Sequence, residues 1–356
     1  MTKHSNIAIF IPHNGCPHQC AFCNQRTISG AVTQPTAGDV REAVKKALAS
    51  PRFEGNHAEI AFFGGSFTAI DRAYMMELLE AAHEFIKSGQ VAGIRISTRP
   101  DAIDGEILEI LREYGVTSIE LGAQSMRDDV LQMNRRGHTA RDVIDASQLI
   151  KKYGFSLGLQ MMTGLYGDDN HGARYTARRL ASLRPDTVRI YPTVVLEGTE
   201  LAEKMRSGEY TPQGYEEAAQ LCAGLLRFFE QRGINVIKLG LHASDGVEDS
   251  MVGGAYHPAF RELCEGILYY RLIRRTLSEQ YPNGGEFTVY VHSRDISKAC
   301  GQKKCNIVRL AKEGWSVTIK GDDSIEGKER RKCEIIEGDV NRNGKDQNPL
   351  CKKERT

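Results

Sequence analysis

Three cysteines stand close together near the N-terminus, in the segment Cys16-Pro-His-Gln-Cys20-Ala-Phe-Cys23. Thiolates are the protein ligands of iron–sulfur clusters, and a four-iron cluster held by three cysteines keeps one iron without a protein ligand. That iron can bind a substrate or a cofactor, which a cluster with four cysteine ligands cannot do. Cys16, Cys20 and Cys23 can therefore hold a 4Fe–4S cluster with one open iron.

A structural zinc site is the main alternative for this segment, with His13 or His18 as the fourth ligand. Such sites more often combine two separated pairs of ligands, and no second Cys-x2-Cys or His-x3-His pair follows at a suitable distance. A disulfide framework is disfavoured because the chain has nine cysteines, an odd number, and begins without an apolar signal core. The cysteines thus favour a cluster in a reducing, cytoplasmic location.

The composition is that of an ordinary folded protein. The chain has 356 residues, 40% of them hydrophobic, and a net charge of +1. This length suffices for one large α/β domain with an appendage, or for two domains. No apolar run approaches the ~20 residues of a membrane-spanning helix, so no membrane association is expected. The near-zero net charge gives no electrostatic argument for nucleic-acid binding by the whole chain.

Short apolar runs alternate with amphipathic stretches over residues 1–243, which we predict to form the core domain. The runs lack strict alternation, which is typical of parallel strands covered on both faces. Repeated β-α units imply a parallel sheet with chemistry at the C-terminal ends of its strands. The predicted strands are 7–11, 59–63, 94–98, 118–121, 156–162, 187–191 and 236–241. The predicted helices are 39–49 and 104–114, each with Asp at the N-cap, and 72–87, 140–153, 170–183 and 214–232.

The pattern changes at about residue 244. A glycine-rich loop (246–254), a helix (259–277), a strand (287–291), a helix (296–312) and a strand (315–320) are predicted to form a small α+β C-terminal subdomain over 244–326. Charged and polar residues then dominate 327–356, apart from the short apolar patch at 335–336, so we predict a disordered tail.

Polar residues follow several predicted strands. Gly64 and Gly65 precede Ser66 after the second strand, where a glycine pair allows either a tight turn or a close backbone approach to a ligand. Ser97 ends the third strand. Glu120 and Gln124 interrupt the apolar fourth strand, and buried polar groups need partners.

The Cys-x3-Cys-x2-Cys loop after the first strand, with Phe22 before its last cysteine, resembles that of the radical S-adenosylmethionine (SAM) superfamily. The resemblance implies a partial (β/α)6 TIM-like barrel, in which SAM chelates the open iron and is cleaved to methionine and a 5′-deoxyadenosyl radical. It also implies a one-electron donor such as flavodoxin or ferredoxin. The residues that it implies for SAM binding are Phe22, Gly64, Gly65, Ser66, Ser97, Gln124, Arg136 and Gln160.

Four further motifs resemble, in order and spacing, the catalytic subunit of Elongator, a family that modifies the wobble uridine of tRNA. They begin at Glu120, Arg136, Gln160 and Tyr191, and the resemblance covers about residues 5–240. We expect a stand-alone relative that lacks the acetyltransferase domain, since the chain is too short to contain one. The resemblance implies a radical SAM enzyme with an unidentified substrate and suggests tRNA modification.

Two alternatives stay open for the function. Oxygen-independent coproporphyrinogen oxidases share the Gly-Ala-Gln-Ser strand end, but they have an acidic residue where this chain has Gln160. A non-catalytic module that binds metal or RNA would keep the barrel without turnover. An auxiliary cluster on Cys300 and Cys305 is poorly supported by their spacing.

Overall fold

Seven parallel strands form the main sheet, in the order β1-β2-β3-β4-β5-β6-β8. The structure is a computed structural model that describes residues 5–11, 20–24, 33–51, 53–241, 245–325 and 331–338. The sheet is a curled half-barrel, which confirms the predicted fold class, and each of the seven predicted strands is present. Their bounds are β1 (Ser5–Ile11), β2 (Ala58–Gly64), β3 (Gly93–Thr98), β4 (Val116–Gln124), β5 (Ser156–Thr163), β6 (Thr187–Pro192) and β8 (Asn235–Leu239).

The helices between these strands agree with the predicted ones to within a few residues at each end. The side chain of Asp104 accepts a hydrogen bond from the Ile107 amide, so it is the N-cap that the sequence predicts. The prediction for the first helix is wrong in detail: Thr36 is its N-cap, and Asp39 completes a capping box from the third helical position. The bounds are α1 (Ala37–Leu48), α2 (Arg72–Lys87), α3 (Gly105–Glu113), α5 (Ala140–Lys152), α6 (Asn170–Ser182) and α8 (Tyr215–Glu230).

The sequence patterns do not predict several short elements of the structure. Two short helices, α4 (Asp128–Met133) and α7 (Glu200–Ser207), follow β4 and β7 (Val194–Leu196). The predicted glycine-rich loop over 246–254 is instead helix α9 (Asp245–Ser250) and strand β9 (Met251–Gly254). Strand β9 pairs antiparallel with β7, which gives backbone partners to a segment that we expected to be irregular.

The two faces of the main sheet differ in chemistry. Alternate residues of its strands are aliphatic, fully buried and packed toward the helices, as Ile96, Ile119 and Leu159 are. The residues between them, including Arg95 and Glu120, form a polar face on the other side. We call this second face the inner face, because it lines the half-barrel. The runs predicted strands covered on both faces, but they did not predict the charges on the inner face.

The chain divides into two units, Met1–Arg261 and Glu262–Thr356. The second unit contains a three-stranded sheet in which β10 (Gly285–Val291) pairs parallel with β11 (Trp315–Gly321) and antiparallel with β12 (Glu334–Glu337). Strand β12 contains the apolar patch of the predicted tail. The other described helices are α10 (Phe260–Gln280), α11 (Ile296–Cys300) and α12 (Cys305–Lys312).

The single helix predicted over 296–312 is broken in two. Gly301 has φ = 72°, and both Lys303 and Lys304 lie in the left-handed region. Consecutive residues with this backbone conformation cannot continue a right-handed helix. The break separates α11 from α12. None of the described helices of the chain combines the length and apolar character needed to cross a bilayer.

The N-cap of α3 offers a test of the fold. We expect Asp104→Ala to lower the free energy of unfolding by about 1 kcal/mol, because the Ile107 amide loses its acceptor. Urea denaturation followed by circular dichroism measures the change. The control is Glu109→Ala on the exposed side of the same helix, which we expect to change stability by less than about 0.5 kcal/mol. Equal losses for both variants would contradict the assigned cap.

Candidate active site

The described part of the cysteine loop, residues 20–24, is fixed by backbone hydrogen bonds on two sides. The Ala21 amide donates to the carbonyl oxygen of Asn134 over 3.2 Å, and the Ala21 carbonyl accepts from the Leu201 amide over 2.8 Å. Leu201 is in the first turn of α7, where amides lack partners within the helix. The end of α4 and the start of α7 therefore position Cys20, which is buried.

Arg136 lies against this loop. Its Nη1 is 3.2 Å from the sulfur of Cys20, and its Nη2 donates to the carbonyl oxygen of Gly122 over 2.7 Å. The guanidinium is buried, and Arg136 is two residues beyond Asn134, which binds the loop backbone. The turn after α4 thus places a permanent positive charge beside a cysteine sulfur. Two residues from the predicted site set, Cys20 and Arg136, are in direct contact.

The end of β4 is irregular at this point. The pairing with β5 shifts between Leu121 and Gln124, and Gln124 has φ = 62°. A non-glycine residue in the left-handed region carries strain, which is common at functional sites. A Cβ atom on Gly122 would lie 3.1 Å from Gln124 Nε2 and 3.2 Å from Arg136 Nη2, so the missing side chain makes room for both.

The predicted glycine pair meets the end of β1. Gly64 has φ = 108°, and a Cβ atom there would lie 2.7 Å from the carbonyl oxygen of Ile11. That carbonyl also accepts from the Gly65 amide over 2.8 Å. Only glycine fits this close approach without displacement of the backbone. The pair therefore holds the ends of β1 and β2 together at Ile11, the last residue of β1.

Ser66 is fully buried, and its hydroxyl lies 2.9 Å from that of Thr98 and accepts from the Arg99 amide over 3.1 Å. These contacts join the turn after β2 to the end of β3. The structure thus shows a supporting role for Ser66, and its predicted contact with SAM stays a prediction.

A second group of predicted residues meets on the inner face. The Gln160 amide nitrogen donates to the hydroxyl of Ser97 over 3.2 Å and to Glu120 over 2.9 Å. Both Ser97 and Gln160 are half-buried. These three side chains come from β3, β4 and β5, so the sheet register brings them together.

Glu120 is the centre of a charged network on this face. Its carboxylate accepts from Arg189 over 2.6 and 2.9 Å and from Arg95 over 3.2 Å. Arg95 also pairs with Glu59 over 2.6 Å. Burial alone would raise the pKa of Glu59, but the hydrogen bond from Thr117 and the charge of Arg95 outweigh it and hold the pKa below its usual value.

His138 lies beside Arg136 at the same sheet edge. Burial, together with the positive charge of Arg136, lowers the pKa of His138 to about 4. The ring is therefore neutral at neutral pH. Its Nε2 lies 3.2 Å from the carbonyl oxygen of Ala123 and donates to it. This contact ties the turn after α4 to the end of β4.

Phe22 is half-buried and packs against an apolar group that includes Leu201 of α7 and Tyr210. Its ring thereby packs the loop against α7. Cys23 is partly exposed. Cys16, together with the alternative zinc ligands His13 and His18, lies outside the described residues. Within residues 20–24 and the rest of the described chain, no group of three or more metal-binding side chains occurs.

The sequence analysis missed most of the charged network. It singled out Glu120 as a buried polar group but not its partners Arg95 and Arg189, nor Glu59 beyond them. A charge in the middle of an otherwise aliphatic strand is the signal that could have identified them, because such a charge needs a partner on the same face.

Comparison with known proteins relates this geometry to a family. Residues 10–180 match the radical SAM superfamily, and residues 185–269 match the radical SAM C-terminal domain. The tRNA uridine(34) acetyltransferase of Methanocaldococcus jannaschii is 28% identical over 254 residues, which are 60% of this chain and 47% of that protein. Human Elongator complex protein 3 is 30% identical over 191 residues, 47% of this chain and 34% of that protein. The chain spans about half the length of the acetyltransferase.

The fold has a counterpart among solved structures. The archaeal Elp3 of Methanocaldococcus infernus, with an N-terminal deletion, superposes with a TM-score of 0.60 at 21% identity, over 78% of this chain and 64% of that one. This likeness concerns the fold. Because the two matched segments together span residues 10–180 and 185–269, well over half of the sequence, the chain belongs to the radical SAM superfamily.

Proposed function

We propose that this protein is an enzyme that binds a 4Fe–4S cluster through Cys16, Cys20 and Cys23 and cleaves SAM reductively. The family membership supports the reaction class. The observation that carries the proposal is the 3.2 Å contact between Arg136 and the Cys20 sulfur. Hydrogen bonds to ligand sulfurs tune the reduction potential of iron–sulfur clusters, so an arginine in this place suits a cluster ligand.

The surroundings of Cys20 fit a ligand that has both donor and acceptor groups. Among the described residues, Gln124 Oε1 and Arg136 Nε are buried side-chain atoms without a hydrogen-bond partner. Buried polar atoms are normally paired, so a bound group is expected to satisfy them. An amino group suits Gln124 Oε1, and a carboxylate suits Arg136 Nε, and SAM carries both.

When bound, the cluster supplies the electron that cleaves SAM to methionine and a 5′-deoxyadenosyl radical. The protein contributes position and charge. Arg136 holds Cys20 and keeps a positive charge beside its sulfur, while Phe22 packs the loop against α7. Gln160 and Ser97 present polar groups from the inner face, and we propose that they contact SAM. A one-electron donor such as flavodoxin or ferredoxin is the proposed partner.

We propose a tRNA nucleoside as the substrate. The support comes from relatives: those named tRNA uridine(34) acetyltransferase and Elongator complex protein 3 are 28% and 30% identical to this chain over 254 and 191 residues. We propose that the substrate binds at the inner face near the carboxyl ends of the strands, where parallel barrels place their active sites.

The first prediction concerns the cluster. After anaerobic reconstitution, the wild-type protein should contain about four irons per chain. Cys20→Ala should lose the cluster and form no 5′-deoxyadenosine when it is reduced with SAM, because a ligand is missing. Iron analysis and liquid chromatography measure both quantities. Cys305→Ala, a change of an exposed cysteine on α12, is the control and should keep the full iron content. Zinc without iron in the wild type would contradict the proposal.

The second prediction concerns Arg136. Arg136→Met should slow 5′-deoxyadenosine formation about 10-fold or more, because hydrogen-bond partners of metal ligands typically contribute that much. Chromatography of the nucleoside product measures the rate, and electron paramagnetic resonance should show an altered signal of the reduced cluster. Arg135→Met is a matched control, since this neighbour is exposed and pairs with Glu200. Equal rates for Arg136→Met and the wild type would refute the assigned role.

The third prediction concerns the substrate. Mass spectrometry of tRNA nucleosides should show one modified nucleoside that is present in cells with this gene and absent from cells without it. The gene should restore that nucleoside, whereas the gene with Cys20→Ala should not, because the proposed chemistry depends on the cluster. Identical nucleoside profiles in the two strains would exclude tRNA as the substrate.

A further inference from the structure

Lys238 is a basic residue of β8 on the inner face of the sheet. It is the direct register partner of Arg189 on β6. Partners in neighbouring parallel strands point to the same face, so the two basic side chains leave the sheet at neighbouring positions. Like charges in this arrangement repel each other. The stability of the fold therefore does not explain why two basic residues occupy these neighbouring positions.

A third positive charge is close to this pair. Arg261, the second residue of α10, donates from Nη1 to the carbonyl oxygen of Val236 over 2.7 Å. Val236 is two residues before Lys238 on the same strand. Burial, together with the charges of Arg189 and Arg261, lowers the pKa of Lys238. Each of these effects disfavours the ammonium form.

The carboxylates of the inner face do not neutralise the positive charge of the Lys238 ammonium. Glu120 is engaged by Arg189, Arg95 and Gln160. Glu59 is engaged by Arg95, together with hydroxyls from the start of β4. Within the part of the chain that the structure describes, no carboxylate lies within ion-pair distance of the Lys238 ammonium. A half-buried ammonium with positive neighbours and no acidic partner is suited to an anion from outside the chain.

We propose that Lys238, beside Arg189, binds an anionic oxygen group of the substrate, either a phosphate or a carboxylate. The inference rests on the proposed function in that the inner face is taken as the substrate surface. An ammonium binds oxyanions as a point charge, while the neighbouring guanidinium is held by Glu120 and adds directional donors. Such an anchor fixes a substrate relative to the cysteine loop without taking part in the chemistry.

The experiment uses the wild-type protein with its cluster, under anaerobic conditions. An amine-reactive reagent acylates the lysines of the protein. Mass spectrometry measures the acylation rate of each lysine in phosphate, acetate and chloride solutions of equal ionic strength. Phosphate or acetate should slow the acylation of Lys238 about 10-fold relative to chloride, because an ion pair hides the amine. Exposed Lys46 on α1 should react equally in all three salts. The protecting anion identifies which of the two groups the substrate carries.

Variants provide an independent measurement. Lys238→Met should weaken the binding of the protecting anion at least about 10-fold, which is the usual effect of a charged hydrogen bond. Lys238→Arg should stay within about 3-fold of the wild type, because the charge is kept, and Lys46→Met should change nothing. The melting temperature of Lys238→Met should equal or exceed that of the wild type, since a repulsive charge is removed.

Three results would overturn the proposal: no protection of Lys238 by either anion, unchanged anion binding by Lys238→Met, or a lower melting temperature of that variant. The last would mean that the ammonium supports the fold. The anion-binding measurement needs neither SAM nor a reductant. Absent anion binding can therefore be distinguished from the absence of 5′-deoxyadenosine formation by the wild-type protein. That second failure would instead contradict the proposed function.

Discussion

The buried carboxylate of Glu120 is the interaction on which the inner face of the half-barrel depends. It accepts hydrogen bonds from β3, β5 and β6, and its side chain is only 1% exposed. A charge at this depth is tolerated because two guanidiniums and an amide surround it. Without it, Arg95 and Arg189 would lack their shared acceptor, and such unbalanced buried charges cost about 3–5 kcal/mol. The charged residues of the inner face therefore depend on one another for their stability.

This network of charges explains how a parallel half-barrel can carry polar chemistry on one side. Closed barrels fill their interior with branched aliphatic side chains. Here the aliphatic residues pack toward the helices, and the inner face has a network in which Glu59 and Glu120 neutralise Arg95 and Arg189. The Phe63 ring lies 4.9 Å from the Arg189 guanidinium and shields that pair from one side. The inner face therefore offers charged and hydrogen-bonding groups where a closed barrel has aliphatic side chains.

Local patterns in the sequence predicted the strands of the sheet, but they were much less informative about the geometry of the site. Aliphatic runs such as 156–162 identify a strand because they record burial, and Asp104 identifies a helix start because capping involves neighbours in sequence. The break between α11 and α12 was missed, since left-handed lysines have no compositional signal. The contact of Arg136 with Cys20 spans 116 residues. Only the fold brings such residues together, so spacing could suggest their roles but not their geometry.

Strand β4 connects the two halves of the site. Glu120 and Gly122 are alternate residues of this strand, so they face the same side and are about 7 Å apart. The carbonyl of Gly122 holds Arg136 at the cysteine loop, whereas the carboxylate of Glu120 holds Arg189 beside Lys238. Hence Arg136, which contacts Cys20, and Arg189, the register partner of Lys238, are both held by a single strand. A substrate anchored by its anionic group at Lys238 would thus be placed relative to Cys20 through two arginines that share one β-strand.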